Sequence, residues 1–300
     1  MNRMRQELGM FGTRRQRTGL IGLAVPSLRE PWFAQMVAQV VEFAPEFGFS
    51  VAVLQTSDSV GAEHGAVSGV GFPEVDGVLV VPRFLTAADL TRRPNPLPLV
   101  LLGEHVERST FCHVTVDNRL AMREITAHLA ALGCTRIAMI GRRSSPASDA
   151  AGRRELGFLD AVGEVSGIAY EVIDVPEFSL GAGRRAVLDL FVSGSGSGPD
   201  GLACVNDSLA LGAMRGLREL GLAIPGDVAV AGFDDIPMAA YSNPPLTTVT
   251  PDLPHLARSA LELLHRQLNA PLAWTPDMEQ VTVGHRLTIR ESTEGHTIRG

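Results

Sequence analysis

The 300-residue chain offers two polar pairs suited to chemistry, Asp234-Asp235 and Asn206-Asp207. Adjacent carboxylates could share acid and base roles, but neighbours on an extended segment point to opposite sides. The spacing therefore predicts one ligand-facing acid and one structural acid. Asn206 follows an apolar run at 201–205, where it can either cap a helix or reach a ligand. Trp32 and Phe33 open a helical stretch; Phe33 falls on its apolar stripe, and Trp32 lies one position off it. An aromatic face there suits stacking on a sugar ring or a flat heterocycle. Gly181-Ala-Gly183-Arg-Arg-Ala186 matches GxGxxA, but that fingerprint must turn directly out of the first strand. Pro176 to Leu180 intervene here after a later strand, which favours a plain helix start. No HExxH, EF-hand loop, GxSxG or CxxC occurs, and the eight histidines are scattered. All 26 basic residues are arginine, which removes Schiff-base chemistry and a phosphate-loop lysine. No catalytic constellation emerges. The chain is expected to be no enzyme and to need neither metal nor cofactor.

The elements that must position these residues form a rhythm. Strand-like runs at 19–25, 49–55, 75–81, 97–102 and 113–116 alternate with amphipathic or polar segments, helical at 32–44 and 120–132. The pattern restarts at 135–140 and continues through strands near 169–175, 201–205 and 227–231, with helices between. The segment after residue 55 reads as glycine-rich and polar, without a helix. Short apolar strands separated by helices imply parallel sheets covered on both faces. The expected fold is α/β, with two Rossmann-like lobes. In such sheets ligands bind beyond the carboxyl ends of strands, where Trp32, Asp58, Asp117, Asp149, Asn206 and Asp234 fall.

Composition agrees with a soluble globular chain: 45% hydrophobic, 20% charged, mean hydropathy +0.13. No run approaches the length of a spanning helix, so no membrane partner is expected. The N-terminus lacks the apolar core of a signal peptide, and three widely spaced cysteines suggest no disulfide framework. A cytoplasmic location follows as the expectation. Net charge is −7, yet residues 1–18 carry five Arg against one Glu. The acidic body does not suit nucleic acid; the basic arm does.

The run Val205-Asn-Asp-Ser-Leu-Ala-Leu-Gly through Val-Ala-Gly-Phe-Asp-Asp235, followed by Pro244-Pro-Leu-Thr-Thr-Val249, resembles the signature of LacI/GalR-type transcription regulators. Arg17-Thr-Gly-Leu-Ile-Gly-Leu23, Glu30-Pro-Trp-Phe-Ala34, Val75-Asp-Gly77, Val116-Asp-Asn118, Leu129-Ala-Ala-Leu-Gly133 and Arg154-Glu-Leu-Gly-Phe158 fit the same family in order, covering residues 17–292. The resemblance implies a periplasmic-binding-protein-like (type I) core with three crossovers. One lobe would span 18–132 plus 248–275 and the other 133–247 plus 276–292, with a basic arm at 1–17 and a tail at 293–300. It also implies a ligand site of Trp32 and Phe33 on one wall, with Ser148, Ala150, Arg154, Phe178, Asn206 and Asp234 opposite and Asp117 near a crossover. Without the family match, Arg154 has an equal reading as a surface helix residue. These groups suit a sugar or related polyol: Arg154 donates, Asp234 accepts, and Asn206 does both.

Family members carry an N-terminal helix-turn-helix headpiece that reads the major groove. The sequence given holds no such headpiece. Asn2-Arg-Met-Arg-Gln-Glu-Leu8 resembles the hinge that follows it, with Leu8 at the position that wedges into the minor groove. From the residues alone this stretch reads as a basic arm, a lone short helix being marginal in water. The expected function is the ligand-sensing, dimerising core of a regulator, most simply a repressor, with operator DNA reached only through the headpiece. Two rivals share the pattern: a sugar-binding protein of a transport system, which calls for an export signal, and a nucleotide-using enzyme built on the Gly181 loop.

Overall fold

Six strands in the order β11-β5-β4-β3-β1-β2 make one sheet, and β12-β10-β9-β8-β6-β7 make the second, in a computed structural model describing residues 17–95, 97–104, 111–142, 149–193, 198–270 and 279–295. In chain order the elements are β1 (Leu20–Val25), α1 (Pro31–Phe43), β2 (Ser50–Gln55), α2 (Val60–Ala66), β3 (Gly77–Val80), α3 (Ala87–Thr91), β4 (Leu99–Leu102), β5 (Cys112–Val116), α4 (Asn118–Ala131), β6 (Arg136–Arg142), α5 (Ala150–Glu164), β7 (Ala169–Asp174), α6 (Leu180–Ser193), β8 (Gly201–Cys204), α7 (Asp207–Glu219), β9 (Ala229–Phe233), α8 (Pro237–Tyr241), β10 (Thr247–Pro251), α9 (Leu253–Asn269), β11 (Gln280–Val283) and β12 (His285–Thr288).

The expected α/β fold with two sheets is what forms. All pairings are parallel except β10 with β12. Inner strands β3, β4, β8 and β9 are buried at every residue, as strands covered on both faces must be. The edge strands β2 and β7 contain no buried residue and are partly exposed. No helix among the described residues is long and apolar enough to cross a membrane.

The chain passes between lobes three times, at Asp117, Asp252 and Gly284, and these crossings correct the expected boundaries. α4 packs on α5 and the second sheet, so the first crossing precedes residue 118 rather than following 132. β10 pairs with β9 through Thr247↔Ala231, so the second falls after Pro251 rather than after 247. β11 pairs with β5 through Gln280↔His113, which moves the third from 275 to Gly284. The expected tail also begins too early: Thr293 is fully buried and its hydroxyl lies 2.8 Å from that of Thr247. Arg17, assigned to the arm, reaches Asn269 Oδ1 at 2.7 Å. The segment at 60–66 is helical despite Gly61 and Gly65. Ser59 caps it by accepting from the Ala62 N–H, and Glu63 is drawn into the interior.

The GxGxxA stretch serves helix packing. A Cβ on Gly183 would lie 2.1 Å from the Leu209 carbonyl oxygen, and one on Gly212 would lie 2.1 Å from that of Leu180. The two glycines let α6 and α7 touch backbone to backbone. No pyrophosphate turn is made there, and the helix begins with Ser179 accepting from the Ala182 N–H at 3.1 Å.

Candidate functional site

A cavity of about 200 Å³ lies between the lobes, at the carboxyl ends of strands from both sheets. The first lobe contributes the start of α1 (Glu30 to Phe33), the loop after β3 (Val81 to Phe84) and the loop after β4 (Leu102 to Glu104). The second contributes Asn118, the first turn of α5, Phe178, the Val205-Asn206 turn and Asp234.

Several second-lobe groups are placed by helix starts. Asp149 caps α5 by accepting from the Gly152 N–H at 2.7 Å, which sets Ala150 and Arg154 toward the cavity. Asn206 caps α7, its Oδ1 accepting from the Leu209 N–H at 3.0 Å. Among the described residues its amide nitrogen has no protein partner, so capping and ligand contact are compatible. Arg154 is no surface residue. Its guanidinium lies 3.4 Å over the Phe233 ring, donates from Nε to Asn118 Oδ1 at 2.8 Å and from Nη1 to the Val205 carbonyl, and holds Nη2 3.5 Å from Asp234 Oδ1.

The Asp pair divides into one cavity-facing and one structural acid as expected, though through a left-handed turn and not the alternation of an extended segment. Asp234 faces the cavity. Asp235 turns away, accepting from Arg290 Nη2 at 2.7 Å and from the Thr250 hydroxyl at 2.8 Å. Both residues have positive φ, 111° and 49°, a costly conformation for non-glycine residues that surrounding contacts must enforce. Asp207 supplies one: fully buried, it accepts from the Thr248 hydroxyl at 2.6 Å and from the Ile236 N–H at 2.9 Å. Gly232 makes room for it, since a Cβ there would lie 2.2 Å from Asp207 Oδ1.

Burial dominates the electrostatics. It pushes the Asp234 carboxyl up to about 7 against the pull of Arg154. It raises Asp207 well above the usual carboxylate range, with Asp234 adding to the effect. Burial lowers Arg154, and the carboxylates of Asp234, Glu104, Asp207 and Asp149 oppose that shift. Glu104 is raised by burial, while the 3.1 Å hydrogen bond from Asn118 Nδ2 pulls it down.

Of the predicted site residues, Trp32, Phe33, Ala150, Arg154, Phe178, Asn206 and Asp234 line this one cavity. Asp117 does not. It is the cap of α4, accepting from the Leu120 N–H at 2.9 Å, and its neighbour Asn118 takes the place at the cavity. Ser148 and Leu8 lie outside the described residues. Among the lining residues that went unpredicted are the polar groups Glu30, Arg83, Glu104 and Asn118. Arg83 and Glu104 follow strands, the same signal that singled out Trp32. Arg83 bridges Glu30 at 2.8 Å and Asp58 at 2.9 Å and lies over Phe33. Its loop hangs on buried Glu63, which accepts from the N–H groups of Arg83 and Phe84, both at 3.0 Å. Among the described residues no group of three His, Cys, Asp or Glu is placed to hold a metal ion.

A family profile described as a periplasmic binding protein-like domain matches residues 126–293. An HTH-type transcriptional regulator from the aml 5′ region of Streptomyces limosus is 34% identical over 85% of this chain and 74% of its own length. The HTH-type transcriptional regulator MalR of Streptomyces coelicolor is 30% identical over 93% of this chain and 82% of its own. Among solved structures, a LacI-family transcriptional regulator from Sanguibacter keddieii superposes with TM-score 0.83 at 34% identity, covering 93% of this chain and all of the other. On its sequence, its two-sheet core and these relatives, the chain belongs to the LacI/GalR-type family of transcriptional regulators.

Proposed function

We propose that this chain senses a small sugar-like effector, which binds in the interlobe cavity and biases the relative orientation of the lobes. One observation carries the reading: a single cavity is lined by aromatic and hydrogen-bonding groups from both lobes, Trp32, Arg83 and Glu104 on one side and Phe178, Asn206 and Asp234 on the other, with three strands of chain joining the lobes. A ligand touching both walls favours whichever orientation gives it more contacts. Trp32 and Phe178 offer ring faces, the Asn206 amide nitrogen and the remaining Arg154 N–H groups offer donors, and Asp234 offers an acceptor, a set that suits a polyhydroxylated ring.

In the full regulator the sensing core works as a homodimer, in the cytoplasm, and passes occupancy to operator DNA through an N-terminal helix-turn-helix headpiece. The relatives' description as HTH-type regulators supports the DNA step. Met238 and Tyr241 on α8, 59% and 84% exposed, are large apolar groups suited to a subunit contact. Displacing one lobe then changes the spacing of two headpieces on their half-sites. The coupling expected is about 1–3 kcal/mol and acts equally in both directions. A transport role has no relative here to support it, and no catalytic grouping favours an enzyme.

The test is a thermal-shift panel of monosaccharides, disaccharides, nucleosides and NAD, paired with gel filtration. The expected result is stabilisation by a monosaccharide and a dimeric elution volume. Stabilisation by nucleotides alone, or a monomer at every concentration, would contradict the reading.

A further inference from the structure

The cavity is rich in carboxyl groups and, among the described residues, offers no open anion receptor. Glu30, Glu104, Asp149 and Asp234 line it against two arginines, Arg83 and Arg154. Both arginines are occupied. The terminal nitrogens of Arg83 face Glu30 and Asp58, and those of Arg154 face the Val205 carbonyl and Asp234. The chain contains no lysine to supply another cation. Helix N-termini are ready anion sites, and α4, α5 and α7 all begin at this cleft. Each is capped by its own side chain: Asp117, Asp149 and Asn206 each accept one of the N–H groups that a phosphate would use.

Glu104 makes no ion pair among the described residues, and the charges of Arg153 and Arg154 reach it only through space. Its one hydrogen bond among the described residues comes from the Asn118 amide, which is neutral and spends its oxygen on Arg154. The cavity's volume, about 200 Å³, falls below the range of drug-sized pockets and suits one small ring.

We propose that the cavity selects an uncharged or amine-bearing monosaccharide and rejects phosphorylated and acidic sugars, with Glu104 as the residue that sets this choice. This rests on the effector reading above. An added phosphate or carboxylate meets like charge in a partly desolvated site, where such juxtaposition is costly. Hydroxyl or ammonium hydrogens meet carboxylate acceptors, which they satisfy.

The experiment is isothermal titration of the chain with glucose, galactose and ribose, each beside its terminal phosphate ester, its uronic or aldonic acid and its 2-amino-2-deoxy form. At least one neutral sugar is expected to bind, its phosphate and acid at least about tenfold weaker, and its amino form comparably to the neutral sugar. Glu104→Gln is expected to shrink the neutral-to-phosphate gap severalfold. Phosphate or acid binding as tightly as the neutral sugar would overturn the proposal while leaving the effector reading intact. A gap unchanged in a folded Glu104→Gln chain would overturn the role of Glu104. If no member of any series binds, the sugar-effector reading itself fails, and this proposal with it. The wild-type comparison does not depend on the variant's folding.

Discussion

The second-lobe wall of the cavity draws its polar groups from helix starts and the turn after β9, braced by buried hydrogen bonds, whereas the first-lobe wall joins Glu30 and Trp32 at the start of α1 to Arg83 and Glu104 on two loops. On the second side, Asp207, Thr248, Asp235 and Arg290 lock the turn that presents Asp234, and they tolerate positive φ at two consecutive residues. On the first, one buried carboxylate, Glu63, fixes the Arg83 loop, and ion pairs with partly exposed partners do the rest. The contrast suggests a division of labour: one wall fixed in shape, the other able to adjust with few bonds broken.

Three perturbations sharpen that comparison. The largest effect is expected from Asp207→Ala, which strands the Ile236 N–H and the Thr248 hydroxyl in the interior. A loss of about 2–4 kcal/mol in urea unfolding is expected, with effector binding falling as the Asp234 turn relaxes. Glu63→Ala strands two loop N–H groups nearer the surface, so a loss of about 1–3 kcal/mol is expected. Its signature is local: faster amide hydrogen exchange at Arg83 and Phe84, with the Asp234 turn unchanged. Equal exchange at both walls in either variant would erase the distinction.

The smallest effect is a slope against pH. In the folded chain Asp234 titrates at about 7, above its ordinary 3.8, so between those values the folded state holds a proton that the unfolded state has released. Its contribution to stability is full below pH 4 and is lost as pH rises through 7. Asp207 and Glu104 shift in the same direction. Asp234→Asn should therefore lose part of the wild-type fall in urea midpoint between pH 5 and pH 7.5, but not all of it. A variant with an undiminished slope would contradict the burial of Asp234.

Much of this contrast was legible in the sequence, unevenly. Part of the second-lobe wall sits on one contiguous run, 205–235, where Asn206 and Asp234 stand just past strands and so mark themselves in the sequence. The first-lobe loops carry the same signal, a polar residue just past a strand, but Arg83 and Glu104 each stand alone in irregular segments. Nothing local marks Glu63 as buried, because its carboxylate is satisfied by backbone twenty residues away. The lobe boundaries failed for a related reason. Whether 118–131 covers one sheet or the other depends on which strands it meets, and its own apolar stripe fits either. Gly183 shows the converse: a pattern with a known chemical use serves close helix contact once Leu209 lies beneath it.

The central claim is that one small ligand touches both walls at once, and its most direct test is titration calorimetry on Trp32→Ala and Arg154→Ala with the monosaccharide that the wild-type chain binds. Each substitution alone is expected to weaken binding by about tenfold or more, while circular dichroism shows both chains folded. Wild-type affinity in either variant would mean that the ligand sits on one lobe only.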